Sequence, residues 1–241
     1  MTSVLRLERV SKNFGALTVV DGLSVDLAAG EALGIIGPNG AGKTTLFNLI
    51  SGDLAPSSGK ISFQGNDITA LPAHARCRLG IGRTYQIPHP FGGMTVFENL
   101  LVAASFAGGA KERDSDALCV DILKRTGLVG KANQPAGRLT LLERKRLELA
   151  RALAVKPKLL LLDEIAGGLT EGECAALVTT IKDSRGEGIS IIWIEHIVHA
   201  LLAVIDRLLV IDFGHAIAEG EPQRVIKERA VQEVYMGIEQ E

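Results

Sequence analysis

The fold of this 241-residue chain is decided by residues 37–44, which are Gly37-Pro38-Asn39-Gly40-Ala41-Gly42-Lys43-Thr44. They match the phosphate-loop pattern G-x-x-x-x-G-K-[ST] without a mismatch. Glycines let the backbone fold closely around an anion and turn successive N–H groups toward it. An apolar strand is predicted before the loop, and a helix from about Lys43 to Gly52 adds the positive end of its dipole. The segment therefore predicts a phosphate-binding turn, with a plain glycine turn between strand and helix as the alternative.

The same loop carries the residue types that nucleotide chemistry requires. Lys43 supplies a positive charge for the β- and γ-phosphates, and Thr44 supplies a hydroxyl for Mg²⁺. Thr45 follows and completes the set of loop residues that we expect to bind ATP. A phosphate loop alone is compatible with many nucleotide enzymes, so further motifs are needed to choose among them.

A pair of carboxylates lies far downstream of the loop. Leu159–Leu162 form an apolar run of the length of a buried strand, and the run ends at Asp163 and Glu164. Asp163 is predicted to hold the Mg²⁺ shell, and Glu164 to polarise a water for in-line attack on the γ-phosphate. Acidic pairs at strand ends are common, so the pair indicates catalysis only in combination with the phosphate loop.

Strands and helices alternate along both ends of the chain. Strands are predicted over residues 4–7, 24–27, 31–36, 158–163, 189–194 and 207–211, and helices over 173–183 and 198–204. This alternation is typical of a parallel sheet covered by helices on both faces. Residues 96–104, 116–126 and 139–154 have helical spacing with no strand between them. We therefore predict one α/β domain over 1–241, with a core of about 1–86 and 157–241 and an inserted helical subdomain of about 87–156.

Composition excludes several classes of protein. The net charge of -2 gives no basic field for nucleic acid, and the basic run Glu143–Arg146 is interpreted as the solvated face of a helix. Cys77, Cys119 and Cys174 are widely spaced, which fits a reducing cytosol better than a disulfide frame or a zinc site. No stretch approaches the ~18–20 apolar residues of a membrane span, and the first ten residues alternate like a strand, unlike a signal peptide. We expect any link to a membrane to come through a partner.

The order of motifs resembles that of the ATP-binding subunits of ABC transporters, across nearly the whole chain. The motifs are Phe14, the phosphate loop 37–44, Gln86 in R-T-Y-Q-I-P, a helix entered through Leu139-Thr140, Asp163-Glu164 and His196. The resemblance implies a P-loop NTPase core with a mostly parallel sheet, an N-terminal antiparallel β portion and an inserted helical subdomain.

The resemblance also implies roles for single residues. Phe14 would stack on adenine, Gln86 would touch Mg²⁺ and the attacking water, and His196 would hold the γ-phosphate. Residues 166–170 occupy the position of the family's D-loop, which contacts the opposite subunit. A core aromatic residue at Phe14 and a structural histidine at His196 are the alternatives.

One motif departs from the family pattern. The signature, usually L-S-G-G-Q, is here Leu139-Thr140-Leu141-Leu142-Glu143. In the family this segment binds the γ-phosphate held by the other subunit. Thr140 and Glu143 form a T-x-x-E capping box, which predicts a helix N-terminus whose free N–H groups could face an anion. The two leucines would crowd a phosphate unless they point away, so a site that binds ATP but hydrolyses it weakly stays open.

The finer resemblance is to the ATPases of bacterial branched-chain amino acid importers, a grouping that includes transporters of other amino acids and amides. It rests on the stretch around Gln86, on D-E-I-A-G-G-L-T at Asp163–Thr170 and on the ending V-Y-M-G-I-E-Q-E, which leaves no room for a regulatory domain. The resemblance implies ATP and Mg²⁺ as ligands and a peripheral place on the cytoplasmic face of the membrane. It implies as partners a second ATPase (copy or paralogue), two permease subunits and, indirectly, a solute-binding protein, with no nucleic acid.

Residues 87–91 are expected to dock the permease, or to form an ordinary turn. A soluble ABC ATPase of DNA repair or translation, an ATP sensor without hydrolysis and a small-molecule kinase are the rival functions.

Overall fold

Two β-sheets organise the chain in this computed structural model, which describes residues 3–108 and 112–236. The strands are β1 (Ser3–Phe14), β2 (Leu17–Ala28), β3 (Ala32–Ile36), β4 (Ser58–Phe63), β5 (Asn66–Asp67), β6 (Ile81–Arg83), β7 (Leu159–Asp163), β8 (Ser190–Ile194), β9 (Arg207–Asp212) and β10 (His215–Gly220). The helices are α1 (Lys43–Ser51), α2 (Ala73–Leu79), α3 (Val96–Gly108), α4 (Glu112–Arg125), α5 (Leu141–Ala154), α6 (Glu171–Gly186), α7 (Val198–Leu202), α8 (Pro222–Val225) and α9 (Arg229–Met236). The last five residues of the predicted ending, 237–241, lie outside the described residues.

The larger sheet has the strand order β10-β9-β3-β8-β7-β6. Strands β9, β3, β8, β7 and β6 are parallel, and only β10 pairs in the antiparallel sense. Every residue of β3, β7 and β8 is buried, because apolar side chains pack on both faces of a sheet that helices cover. The predicted parallel α/β sheet is confirmed.

The smaller sheet is antiparallel, with the order β2-β1-β4-β5. Its first two strands form a hairpin and are much longer than the predicted segments 4–7 and 24–27. The prediction was too short because the second half of β1 is mostly polar and the first half of β2 (L-T-V-V-D-G) does not alternate between apolar and polar residues. Strands β4, β5, β6 and β10 were not predicted because they are short and contain no long apolar run.

Three helices, α3, α4 and α5, follow one another between β6 and β7, where helical spacing was predicted. Their apolar residues Leu100, Leu123 and Leu147 belong to the same buried cluster as Leu160 and Trp193 of the parallel sheet. The helices therefore share one continuous hydrophobic core with the sheet.

The interpretation of the basic run Glu143–Arg146 as a solvated helix face is wrong for one residue. Lys145 is only 7% exposed, whereas its neighbours Arg144 and Arg146 are half-buried.

Within 3–108 and 112–236 the chain contains no helix of the length and apolar character that a bilayer crossing needs.

Candidate active site

The phosphate loop joins the end of β3 to the start of α1, as predicted. Gly42 directly precedes α1 with φ 98°, in the left-handed region that favours glycine. At Gly37 a Cβ atom would lie 2.0 Å from the carbonyl oxygen of Ile211. Close backbone packing and a left-handed turn therefore require glycine at these two positions.

Lys43 is buried, and its ammonium is held inside the loop. Nζ donates to the carbonyl oxygens of Gly37, at 2.7 Å, and Pro38, at 2.9 Å. Burial lowers the pKa of Lys43, while Glu164 and Asp163 act in the opposite direction. The ammonium therefore lies within the phosphate loop, where it could meet the oxygens of a bound phosphate.

A cavity of about 440 Å³ opens beside the loop. Its lining comprises Val19, Asn39, Gly40, Ala41, Gly42, Lys43, Thr44, Thr45, Gln86, Glu164 and His196. The cavity therefore brings together most of the predicted ATP-binding residues and all three predicted catalytic ones, although these come from four separate segments of the chain.

Sheet topology explains this convergence. Strand β8 lies between β3 and β7, and the three strands end at nearly the same level, with Ile194 paired to both Ile35 and Asp163. The carboxyl ends of parallel strands meet at one edge, where ligands of α/β proteins bind. The loop after β3, Glu164 after β7 and His196 after β8 consequently face one another.

Glu164 is the centre of a hydrogen-bonded group. Gln86 Nε2 donates to Glu164 Oε2 at 2.5 Å, and His196 Nε2 lies 2.9 Å from Glu164 Oε1. The backbone of Glu164 has φ 46°, a left-handed value that costs a non-glycine residue roughly 1–3 kcal/mol. The carboxylate of Glu164 lines the same cavity as the phosphate loop.

Asp163 lies behind this group and is almost fully buried. Arg83 Nη2 lies 3.4 Å from its Oδ2 atom, and Arg83 is also held by Asn48, Ser51 and Asp53. Burial raises the pKa of Asp163, and the charge of Arg83 opposes that rise. Its other oxygen, Oδ1, is buried and accepts no hydrogen bond from any residue within the described part of the chain.

The predicted metal ligands Thr44, Gln86 and Asp163 offer oxygen atoms near the phosphate loop. Mg²⁺ prefers carboxylate and hydroxyl oxygens and retains several waters. The free Oδ1 atom of Asp163, the exposed hydroxyl residue Thr44 and the carboxamide of Gln86 at the cavity meet that requirement. The residues present therefore fit a magnesium site.

Phe14 lies at the end of β1 and is 48% exposed. The ammonium of Lys12 lies 5.2 Å from the centre of its ring. Phe14 is not part of the core and does not line the 440 Å³ cavity. The alternative of a core aromatic residue is therefore wrong.

The signature segment forms the entrance to α5. Thr140 directly precedes the helix, Glu143 N donates to its Oγ1 at 3.3 Å, and Thr140 N donates to Glu143 Oε2 at 2.9 Å. The predicted capping box is confirmed. Leu139 is buried, whereas Leu141 is exposed and points toward the backbone of Gly168. None of the residues 139–143 lines the cavity beside the phosphate loop.

Sequence reasoning missed three residues around the site. Val19 lines the cavity, Arg83 contacts Asp163, and the buried carboxylate of Glu195 accepts hydrogen bonds from Ala166 N and His196 N. Glu195 directly precedes His196 at the end of an apolar strand. A charged residue at that position was the one feature of the sequence that could have indicated its role. Val19 and Arg83 gave no signal because only the packing of distant strands brings them to the site.

The family model described as ABC transporter matches residues 20–167. Among similar proteins is the high-affinity branched-chain amino acid transport ATP-binding protein BraF of Pseudomonas aeruginosa, 33% identical over 97% of this chain and 98% of its own length. The lipopolysaccharide export system ATP-binding protein LptB of Acidithiobacillus ferridurans is 34% identical, with 98% of each chain covered.

A solved structure gives the same picture of the fold. A crystal structure of the ADP conformation of an ATP-binding cassette from an ABC transporter superposes with a TM-score of 0.89. It is 33% identical in sequence, and the match covers 98% of this chain and 100% of the other.

Proposed function

The chain belongs to the ABC transporter family as an ATP-binding subunit, and on this basis we propose that it powers an importer of branched-chain amino acids or related amino acids and amides. Members of the family hydrolyse ATP coupled to transport, and the chain is an ATPase of this kind. The importer proposal is supported by full-length similarity to BraF and by the stretch around Gln86 that resembles this branch.

The observation that carries the proposed catalytic mechanism is the convergence of Gln86, Glu164 and His196 beside the phosphate loop. In the proposal, Glu164 accepts the proton of the attacking water, and Gln86 orients that water. His196 donates a hydrogen bond to the γ-phosphate as its charge develops. Lys43 and the N–H groups of residues 39–45 hold the β- and γ-phosphates, and Phe14 stacks on the adenine.

Thr44, Gln86 and Asp163 would hold Mg²⁺. When bound, the ion neutralises charge on the phosphates and fixes their geometry. Oδ1 of Asp163 supplies the free acceptor for this shell, while Oδ2 faces Arg83.

We further propose that two such ATPase subunits associate head to tail. The N-terminus of α5 in one subunit would then meet the γ-phosphate on the other, and free N–H groups and the helix dipole would supply the contact. The Leu141 side chain lies near Gly168 of its own subunit, and this pairing requires both Leu141 and Leu142 to be turned away from the phosphate.

We propose that a second surface binds the permease. A groove of about 340 Å³ lies between α2, β6, α3 and α5, and Tyr85 and Phe106 are its exposed aromatic residues. The adjoining segment 87–91 exposes Ile87 and Phe91 and is tied to α5, where Glu148 accepts from His89 N and Arg151 donates to His89 O. An apolar surface of this kind fits a docked membrane subunit at the cytoplasmic face of the membrane.

A second candidate function has an observation in its favour. The sequence match to LptB covers this chain as completely as the match to BraF does, and the two identities are similar. A subunit of a lipopolysaccharide exporter would use the same ATP site and differ in its membrane partners and in the absence of a solute-binding protein.

Copurification separates the two functions. The tagged chain is extracted gently from native membranes, and the proteins that accompany it are identified by mass spectrometry. Two hydrophobic permeases, a second ATPase and a solute-binding protein would support the importer. Permeases of an export system would support the alternative, and recovery with nucleic acid or ribosomes in the soluble fraction would contradict both.

A further inference from the structure

Lys145 is a buried lysine in the second turn of α5, only 7% exposed. Lysine is almost never buried at this level unless its ammonium has partners. Its Nζ atom donates to two backbone carbonyls, that of Glu164 at 3.3 Å and that of Gly167 at a short distance. Lys145, which lies on the helix that begins at the signature, therefore contacts the backbone of Glu164, the proposed catalytic residue.

The segment 164–167 is held from a second direction by Glu195. Ala166 N donates to Glu195 Oε2 at 3.0 Å, and the other oxygen of Glu195 accepts from His196 N at 3.0 Å. Glu164 N donates to the carbonyl of Ile194 at 2.9 Å. The backbone that keeps Glu164 in its left-handed conformation is therefore fixed by β8 on one side and by Lys145 on the other.

The contact between α5 and this segment extends to the first turn of the helix. Leu141 packs toward Gly168, directly after the carbonyls that Lys145 binds. A shift of α5 relative to the sheet would therefore displace the backbone of residues 164–168. Such a shift is expected when the N-terminus of α5 engages a phosphate on the opposite subunit.

We propose that Lys145 is a positioning residue that transmits engagement of the signature helix to Glu164 of the same subunit. The inference rests on the head-to-tail pairing proposed above. Contact of one subunit's signature helix with the partner's ATP would then adjust the position of that subunit's own Glu164. The two ATP sites of the pair would be coupled through Lys145.

The test compares three variants in the assembled transporter. Lys145→Met removes both donor contacts while keeping an unbranched side chain that is one atom shorter, and Lys145→Arg restores a donor. Arg146→Met removes a neighbouring positive charge from the same helix and serves as the matched control. The measurements are kcat, the Hill coefficient for ATP and the equilibrium affinity of the full-length chain for a fluorescent ATP analogue.

We expect Lys145→Met to lower kcat on the order of 10- to 100-fold, since a displacement of about 1 Å in a catalytic group has an effect of this size. The Hill coefficient should fall toward one, and the affinity of the single chain for the analogue should stay unchanged. Lys145→Arg should recover much of kcat and the cooperativity, and Arg146→Met should resemble the wild type.

Three outcomes would overturn the inference. They are wild-type kcat and Hill coefficient in Lys145→Met, equal losses in Lys145→Met and Arg146→Met, and no recovery in Lys145→Arg. If Lys145→Met does not fold, Lys145→Gln, whose amide is too short to reach both carbonyls, is combined with Thr140→Ala, and additive effects on kcat would contradict coupling through Lys145. A wild-type complex without ATP turnover would instead contradict the proposed function, so the two failures are distinguishable.

Discussion

At the scale of single residues, Glu164 combines an unfavourable backbone conformation with two close polar contacts. Its φ of 46° is retained because Ile194, Lys145 and Glu195 hold the surrounding backbone. Its carboxylate faces Gln86 and His196. Strain of this kind at a site is typical of residues that are held ready for a reaction.

Glu164→Gln tests the proposed general base. The amide keeps the shape of the Glu164 side chain but accepts no proton at neutral pH, so we expect ATP binding to persist and kcat to fall by about 10²–10⁴-fold. Turnover in the assembled complex and binding of a fluorescent ATP analogue are measured side by side. Wild-type turnover in this variant would contradict the assignment.

Phe14→Ala tests the proposed adenine contact. Loss of a stacking partner is expected to weaken ATP binding by about 1–3 kcal/mol, with little effect on folding because Phe14 is half exposed. Equilibrium binding of ATP and GTP is compared with that of the wild type. Phe213→Ala, at a more exposed phenylalanine, is the control, and equal losses in both variants would argue against stacking at Phe14.

At the scale of elements, the junction of α1 with α2 depends on one buried arginine. Arg76 is 1% exposed and donates to the carbonyls of Leu49, Ile50, Thr69 and Leu71. Two of these carbonyls belong to the end of α1, the helix that follows the phosphate loop. The position of the loop is thereby tied to the packing of α2.

Arg76→Met is expected to destabilise this junction. The methionine fills part of the volume but leaves buried carbonyls unpaired, at about 1–3 kcal/mol for each group left unsatisfied. Urea unfolding should show a clear loss of stability, whereas Arg78→Met, an exposed neighbour on the same helix, should leave the free energy of unfolding unchanged. Equal stability of the two variants would contradict the role of Arg76.

The entrance to α5 should make stability depend on pH. The backbone N–H of Thr140 lowers the pKa of Glu143. A carboxylate with a lowered pKa stabilises the fold above its unfolded value of about 4.3, and this contribution is lost as pH falls through the folded value. We therefore expect Glu143→Gln to destabilise the chain near pH 7 and the difference from wild type to shrink under acid conditions. Urea unfolding at a series of pH values measures this difference; a constant difference would contradict the capping role of the carboxylate.

Over the whole molecule, the cavity beside the phosphate loop and the apolar groove are joined through β6 and the segment that follows it. Arg83 lines the groove and contacts Asp163, and Gln86 reaches Glu164. Occupation of the groove by a membrane subunit would therefore act directly on residues of the ATP site.

A double substitution tests the groove as the permease site. Tyr85→Ser combined with Phe106→Ser removes its exposed aromatic surface, and we expect copurification of the permeases to fall while the isolated chain still binds ATP. Val129→Ser, at an exposed apolar residue outside the groove, should have no effect. Undiminished recovery of permeases with the double variant would exclude this surface.

The phosphate loop, the buried strands and the capped start of α5 could be predicted from the sequence, because each depends on residues close together in the chain. Glycines at fixed spacing, an apolar run ending in Asp163 and the Thr140–Glu143 pair are local patterns. The order of these motifs was enough to indicate the family. The burial of Lys145, the two hydrogen bonds accepted by Glu195 and the contact of Arg83 with Asp163 became evident only in the folded chain, because they depend on which strands and helices become neighbours. A charged residue in a polar run carries no local sign of its burial, and its partners are set by the packing of α5 against the carboxyl edge of the sheet.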